Sequence, residues 1–235
     1  MSDSTGSIYY QDDFVTLYLG DCMTQTAWLD ADVLCTDPPY GIKWSGVANY
    51  TRGTRTDRRT RGNEQPIAGD SDMSSRDGVL AMWGNRPAIV FGVWSRPRPD
   101  HVRHRLIWWK RGQAPGPACA PFMAQDEEIY ILGDGWIKTS PPMRTVIETR
   151  ESRSLEVQQI GHPTPKPLGL MQMLIERAPD GVIADPFAGS GSTLVAAKLL
   201  GRKAVGVELE EKYCEIAARR LSQGVLDFGD WKGNA

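Results

Sequence analysis

The sequence is poor in the residues that build metal and disulfide sites: four cysteines and three histidines among 235 residues. Cys22, Cys35, Cys119 and Cys214 are widely spaced and form no CxxC pair, which argues against structural zinc. Scattered thiols of this kind fit a reducing compartment, so a cytoplasmic setting is expected. His101 and His104 have helical spacing but no third ligand in view, and no metal is expected. Long apolar runs are also missing. Nothing approaches the roughly 20 residues that span a bilayer, so no membrane partner is expected. The opening MSDSTGSIYY lacks the basic start and apolar middle of a secretory signal. Neither sign of charge dominates: the formal net charge is −2. A nucleic-acid partner must therefore be met by a local basic patch.

What is present suits a packed domain. Hydrophobic residues make up 40% of the chain and charged residues 24%, outside the range of disordered chains. The length predicts one α/β domain over residues 1–235. Apolar runs bounded by turn residues predict strands at Phe14–Leu19, Val33–Thr36, Pro87–Trp94, Arg105–Lys110 and Glu127–Gly133. Residues 45–70 differ. They are polar, glycine-bearing and rich in arginine, with no helical or strand period, and read as a mobile loop. Arg111–Pro121 and Gly133–Pro142 are also loop-like. After Pro167 the pattern becomes helix, strand, helix, strand, helix. Alternation of this kind argues for a parallel, doubly wound sheet.

Two turns carry the chemistry. DPFAGSGST, Asp185 to Thr193, follows a strand and opens a helix. Glycines there let a ligand approach the backbone, and the helix N-terminus offers unpaired N–H groups. The run is neither GxGxxG nor GxxxxGK[ST], so dinucleotide and phosphate-loop readings are weakened. Glu208 ends the next strand, where an acid can accept both hydroxyls of a ribose. A glycine turn and a ribose acid without a phosphate lysine suit a nucleoside that carries no phosphates. The second turn is Asp37-Pro38-Pro39-Tyr40, at the end of the Val33 strand. Both turns lie just past strand ends, where ligands bind in open α/β sheets.

Asp37-Pro38-Pro39-Tyr40 and Phe187-Ala188-Gly189-Ser190-Gly191 resemble the two signatures of amino-group DNA methyltransferases, which methylate N6 of adenine or N4 of cytosine with S-adenosylmethionine. HPTPKP, ahead of the glycine turn, is similar to the family's cofactor-pocket segment. The catalytic signature precedes the cofactor signature, which resembles the β group, a circular permutation of the methyltransferase sheet. The resemblance runs from about Phe14 to Leu221. It implies a single doubly wound, Rossmann-like sheet with a catalytic half near 14–110, a small loop-rich target-recognition insertion near 111–161 and a cofactor half near 162–222. It also implies double-stranded DNA as partner, a monomer or homodimer without an obligate protein partner, and a bacterial cell or phage-infected host.

The resemblance assigns roles residue by residue. Asp37 and the Pro38 carbonyl accept the two N–H bonds of the target amine. Pro38 and Pro39 fix φ and keep the acceptors aimed, and Tyr40 stacks on the base. Asp185, Phe187, Gly189, Ser190, Gly191 and Glu208 line the cofactor, Asp21 reaches its adenine end and Lys166 its methionine end. A base inside a duplex must be flipped out to react. Arg52, Arg55, Arg58, Arg59 and Arg61 suit phosphate contacts during that event. Cys35 is read as a buried strand residue, because the Pro-Cys pair of cytosine-C5 enzymes is absent. Adjacent Trp108 and Trp109 face opposite sides of their strand, so one belongs to the core.

The chain departs from the family pattern at Asp126-Glu127, where His-Glu is familiar, and at Pro165. The aspartate that opens the catalytic turn favours adenine, and cytosine-N4 is the nearest alternative. An RNA or protein amide methyltransferase and a non-catalytic DNA-binding module are the others. No nuclease motif appears, so a stand-alone methylase is expected, whether or not a restriction enzyme accompanies it.

Overall fold

A computed structural model describes residues 6–41, 70–111, 118–119, 122–123, 125–137, 141–149 and 165–223. The five arginines Arg52, Arg55, Arg58, Arg59 and Arg61 lie outside these residues, as do positions 162–164 of HPTPKP. The strands are β1 (Ser7–Gln11), β2 (Val15–Leu19), β3 (Val33–Thr36), β4 (Ala88–Gly92), β5 (His104–Lys110), β6 (Ala118–Cys119), β7 (Phe122–Met123), β8 (Asp126–Leu132), β9 (Val146–Thr149), β10 (Ile183–Asp185) and β11 (Ala204–Glu208). The helices are α1 (Ser74–Trp83), α2 (Leu168–Ile175), α3 (Ser192–Leu199) and α4 (Glu211–Ser222).

Among the described residues, nine strands form one sheet in the order β1-β2-β11-β10-β3-β4-β8-β5-β9. The five from β2 to β4 are mutually parallel, and β8 runs against both its neighbours. This is the doubly wound sheet expected, entered at a permuted point. From β3 the chain steps through α1 to β4 on one side. From β10 it steps through α3 to β11 on the other. The carboxyl ends of β3 and β10 thus flank the switch in strand order, where open α/β sheets bind ligands.

Every residue of β3 and β4 is buried, as expected of parallel strands covered on both faces. Their side chains alternate between two cores. Val33, Cys35, Ile89 and Phe91 pack on one face with Leu170 and Leu174 of α2 and Leu194 of α3. Leu34, Ala88 and Val90 pack on the other with Val79 and Trp83 of α1. There Trp28 stacks on Trp83 with ring centroids 6.0 Å apart. Trp108 is buried at 2% exposure and meets Phe91 edge-on, while Trp109 is 38% exposed, so the alternation expected on β5 holds.

Several elements were not expected from the sequence. β1 is an edge strand paired antiparallel to β2, and only its central residues are shielded. α1 follows the polar segment directly. β9 joins the sheet beside β5, inside a region read as loop-rich. The backbone of β6 pairs with β7 in a short hairpin, although the sequence at Ala118 and Cys119 reads as a loop. The strand expected to reach Trp94 ends at Gly92.

Candidate active site

The turn after β10 is shaped by its own backbone. Gly189 and Gly191 both take left-handed φ, +50° and +78°, a region that disfavours side chains. A Cβ at Gly191 would lie 2.9 Å from the Ala217 Cβ of α4. The Gly191 N–H closes the turn on the Ala188 carbonyl at 2.7 Å. Gly191 is also the N-cap of α3, and no side chain caps it. Arg220, from α4, donates to the Ser190 carbonyl at 2.6 Å and lies 3.2 Å from the Ser190 Oγ.

Glu208, half-buried at the end of β11, faces this turn. Its Oε2 accepts the Gly189 N–H at 2.7 Å and its Oε1 the Glu210 N–H at 2.8 Å. Burial pushes its carboxyl up to about 7, and the two backbone donors only partly offset this. β2 runs beside β11, and the Gly20 N–H bonds to the Glu208 carbonyl at 2.9 Å. Asp21 is therefore at the same rim. It is exposed, and its Oδ1 accepts the Met23 N–H at 2.9 Å.

Asp185 points into the protein. It is 2% exposed, and its Oδ1 accepts the Thr36 hydroxyl at 2.7 Å and the Phe187 N–H at 3.1 Å. Burial raises its carboxyl to about 6, against the pull of these bonds and of Thr193. The Thr36–Asp185 bond ties β3 to β10 immediately before Asp37. It joins the two turns, 149 positions apart, into one site. Phe187 is half-buried against the α1-side core.

The turn after β3 is held by side chains. The Asp37 side chain keeps 26% of its surface exposed. Its Oδ1 accepts the Tyr40 hydroxyl, and its Oδ2 lies 2.5 Å from the Lys166 ammonium. Pro38 is buried; Pro39 and Tyr40 are half-buried. Arg96 donates to the Gly41 carbonyl at 2.8 Å, fixing the exit of the turn. Cys35, two residues earlier, is fully buried, and burial holds its thiol well above the ordinary range, which leaves no reactive thiolate.

The structure thus brings together Asp37, Tyr40 and Lys166 with the turn at Gly189–Gly191 and Glu208. Sequence reasoning did not find Thr36, Glu127 or Arg220. Of these, Thr36 had the clearest sequence signal, as the polar last residue of an otherwise apolar strand directly before Asp37. Among the described residues no helix is long and apolar enough to cross a membrane.

Comparison with known proteins identifies the family. The family model described as DNA methylase, N6_N4_Mtase, matches residues 71–219; the Asp37 turn precedes that segment. The type II methyltransferase M2.MboI of Moraxella bovis is 45% identical over 238 residues, covering 88% of this chain and 87% of its own. M2.LlaDCHI of Lactococcus lactis subsp. cremoris, also a type II methyltransferase, is 45% identical over 224 residues, 82% of each chain. Among solved structures, the complex of M1.HpyAVI with SAM superposes with a TM-score of 0.60 at 19% identity, over 88% of this chain and 99% of that one. The cytosine-N4-specific PvuII DNA methyltransferase gives 0.61 at 15%, over 98% and 91%. These two show the shared fold. With the family match and the 45% relatives, the chain belongs to the N6_N4_Mtase family of DNA methylases.

Proposed function

We propose that the chain transfers a methyl group from S-adenosylmethionine to the exocyclic N6 of an adenine flipped out of double-stranded DNA. One observation carries the reading: the Asp37 carboxylate stands at the switch in strand order, tied to the glycine turn through Thr36 and Asp185. An acceptor for an amine and a cradle for a nucleoside then share one rim.

The residues at the glycine turn fit the cofactor. An acid beside Gly189 repels phosphate and accepts hydroxyls, which suits a nucleoside without phosphates. Each Glu208 oxygen already holds one backbone N–H and retains a lone pair for a ribose hydroxyl. The glycines keep the floor of the cradle free of side chains, and the uncapped start of α3 offers N–H donors. Gly189, Gly191 and Glu208 would hold the nucleoside, with Asp21 at the rim. Bound there, S-adenosylmethionine supplies a methyl group on a sulfonium, open to displacement by a nitrogen lone pair.

The chain's own residues prepare that lone pair. A ring amine is a weak nucleophile because its electrons are delocalised. Asp37 and the Pro38 carbonyl, accepting its two N–H bonds, favour a tetrahedral nitrogen. Two prolines fix φ in the turn, so the acceptors need little ordering on binding. Tyr40 offers a flat face, and stacking of this kind contributes about 1–3 kcal/mol. Alignment of the reacting atoms supplies much of the acceleration, and no covalent enzyme intermediate is required. The arginines between Arg52 and Arg61 serve DNA phosphates in this reading. The aspartate at the first position of the turn favours adenine over cytosine. Asp37→Ala tests the mechanism: methyl transfer into DNA is lost while cofactor binding by calorimetry is retained. Unchanged turnover refutes the role of Asp37, and label entering RNA but not DNA refutes the substrate.

A further inference from the structure

A buried cation sits behind the proposed acceptor. Lys166, just before α2, has a side chain only 8% exposed. Its ammonium lies 2.5 Å from Asp37 Oδ2, 3.3 Å from the Tyr40 oxygen and 3.2 Å from Glu127 Oε2. Three rings wall it in, with centroids at 5.0 Å (Phe91), 5.6 Å (Tyr40) and 6.0 Å (Trp108). Glu127, on β8, has a side chain 12% exposed and pairs also with Lys110 of β5. A strand on the far side of the sheet therefore reaches the catalytic turn through alternating charges: Lys110, Glu127, Lys166, Asp37.

Carboxylate rotation about its terminal bond is broad and roughly two-fold. An unrestrained Asp37 would present either oxygen, in a range of directions. The ammonium removes that freedom by holding Oδ2, which leaves Oδ1 toward the Tyr40 hydroxyl. We propose that Lys166 and Glu127 are positioning residues for Asp37: Glu127 fixes the ammonium, the ammonium fixes Oδ2, and Oδ1 is presented to the amine in place of the Tyr40 hydroxyl. This rests on the proposed role of Asp37. It differs from a contact between Lys166 and the cofactor's methionine end, the role the family resemblance implies.

The test is single-turnover methyl transfer at saturating cofactor and DNA, with cofactor affinity measured by calorimetry on the same proteins. Loss of orientation at an acceptor costs about 100-fold, and we expect that loss in Lys166→Met with cofactor affinity kept. Glu127→Gln is expected to cost about 10-fold, because the ammonium stays but wanders. The double variant should be no slower than Lys166→Met, since residues acting through one another are non-additive. It also removes both charges of a buried pair, so it carries the test should Lys166→Met alone fail to fold. A wild-type rate in Lys166→Met, additive losses, or weakened cofactor binding with a normal rate at saturation overturns the proposal. Asp37→Ala in the same assay separates the two readings. If it is inactive while Lys166→Met is normal, only the positioning role falls. If Asp37→Ala is itself normal, the proposed function falls with it.

Discussion

The two turns at the switch in strand order do similar work by different means. The turn after β10 is built from main chain: left-handed glycines, a closed backbone bond from Gly191 to Ala188, and an acid held by two N–H groups. The turn after β3 is built from side chains: Asp37 between Tyr40 and Lys166, with Glu127 behind. Backbone geometry suits a cradle whose ligand must always be seated the same way. In the proposed reaction, charged side chains suit an acceptor that exchanges one partner for another during each cycle. They meet at the buried Thr36–Asp185 bond, beside the paired backbones of β3 and β10.

The contrast can be broken from either side. The largest effect is expected from Gly191→Val. A β-branched residue at φ +78°, with a Cβ 2.9 Å from Ala217, combines backbone strain with overpacking. Cofactor affinity should fall about 100-fold, and the melting temperature should drop with it. Calorimetry and thermal unfolding measure both. Glu208→Gln is milder. At about pH 8, above the Glu208 value of about 7, hydrogen bonds to the charged carboxylate are worth about 1.5–3 kcal/mol, so cofactor affinity should fall about 10-fold or more, while the rate at saturating cofactor changes little. Tyr40→Ala acts on the other turn. Loss of a stacking face worth about 1–3 kcal/mol lowers kcat/KM for DNA and leaves cofactor affinity unchanged, whereas Tyr40→Phe keeps the face.

The smallest effect concerns stability and pH. The Glu208 carboxyl titrates at about 7 in the fold, above its ordinary 4.5. Between those values the folded protein holds more protons than the unfolded chain, so this group's contribution is full below 4.5 and is lost as pH rises through 7. Glutamine does not titrate. Wild-type melting temperature should therefore fall relative to Glu208→Gln as pH is raised from about 5 to about 8. A constant difference would place the Glu208 carboxyl outside that range.

The backbone-built turn was the more legible one. Gly189, Gly191 and Glu208 lie within twenty residues of one another, on one strand-helix-strand unit whose alternation is plain in the chain. The parallel strands were equally plain, because burial on both faces leaves β3 and β4 almost wholly apolar. β1, β9 and α1 were not. SIYYQ has little buried surface, VIET is held by pairing with β5 and by the Trp108–Thr149 bond, and α1 carries Gly78 in its middle. The surroundings of Asp37 were hidden for another reason. Lys166 lies 129 positions along the chain from Asp37, Glu127 sits on β8 beyond β4, and contacts over such separations leave no local pattern. In the sequence Glu127 stands out only as the start of a predicted strand and beside Asp126, where the family's familiar pair has histidine.

Mass spectrometry of methylated nucleosides, on DNA from cells expressing the chain and from cells expressing Asp37→Ala, tests most directly whether this site methylates adenine in DNA, as proposed. N6-methyladenine in the first and background levels in the second is the result predicted. N4-methylcytosine without N6-methyladenine would contradict it.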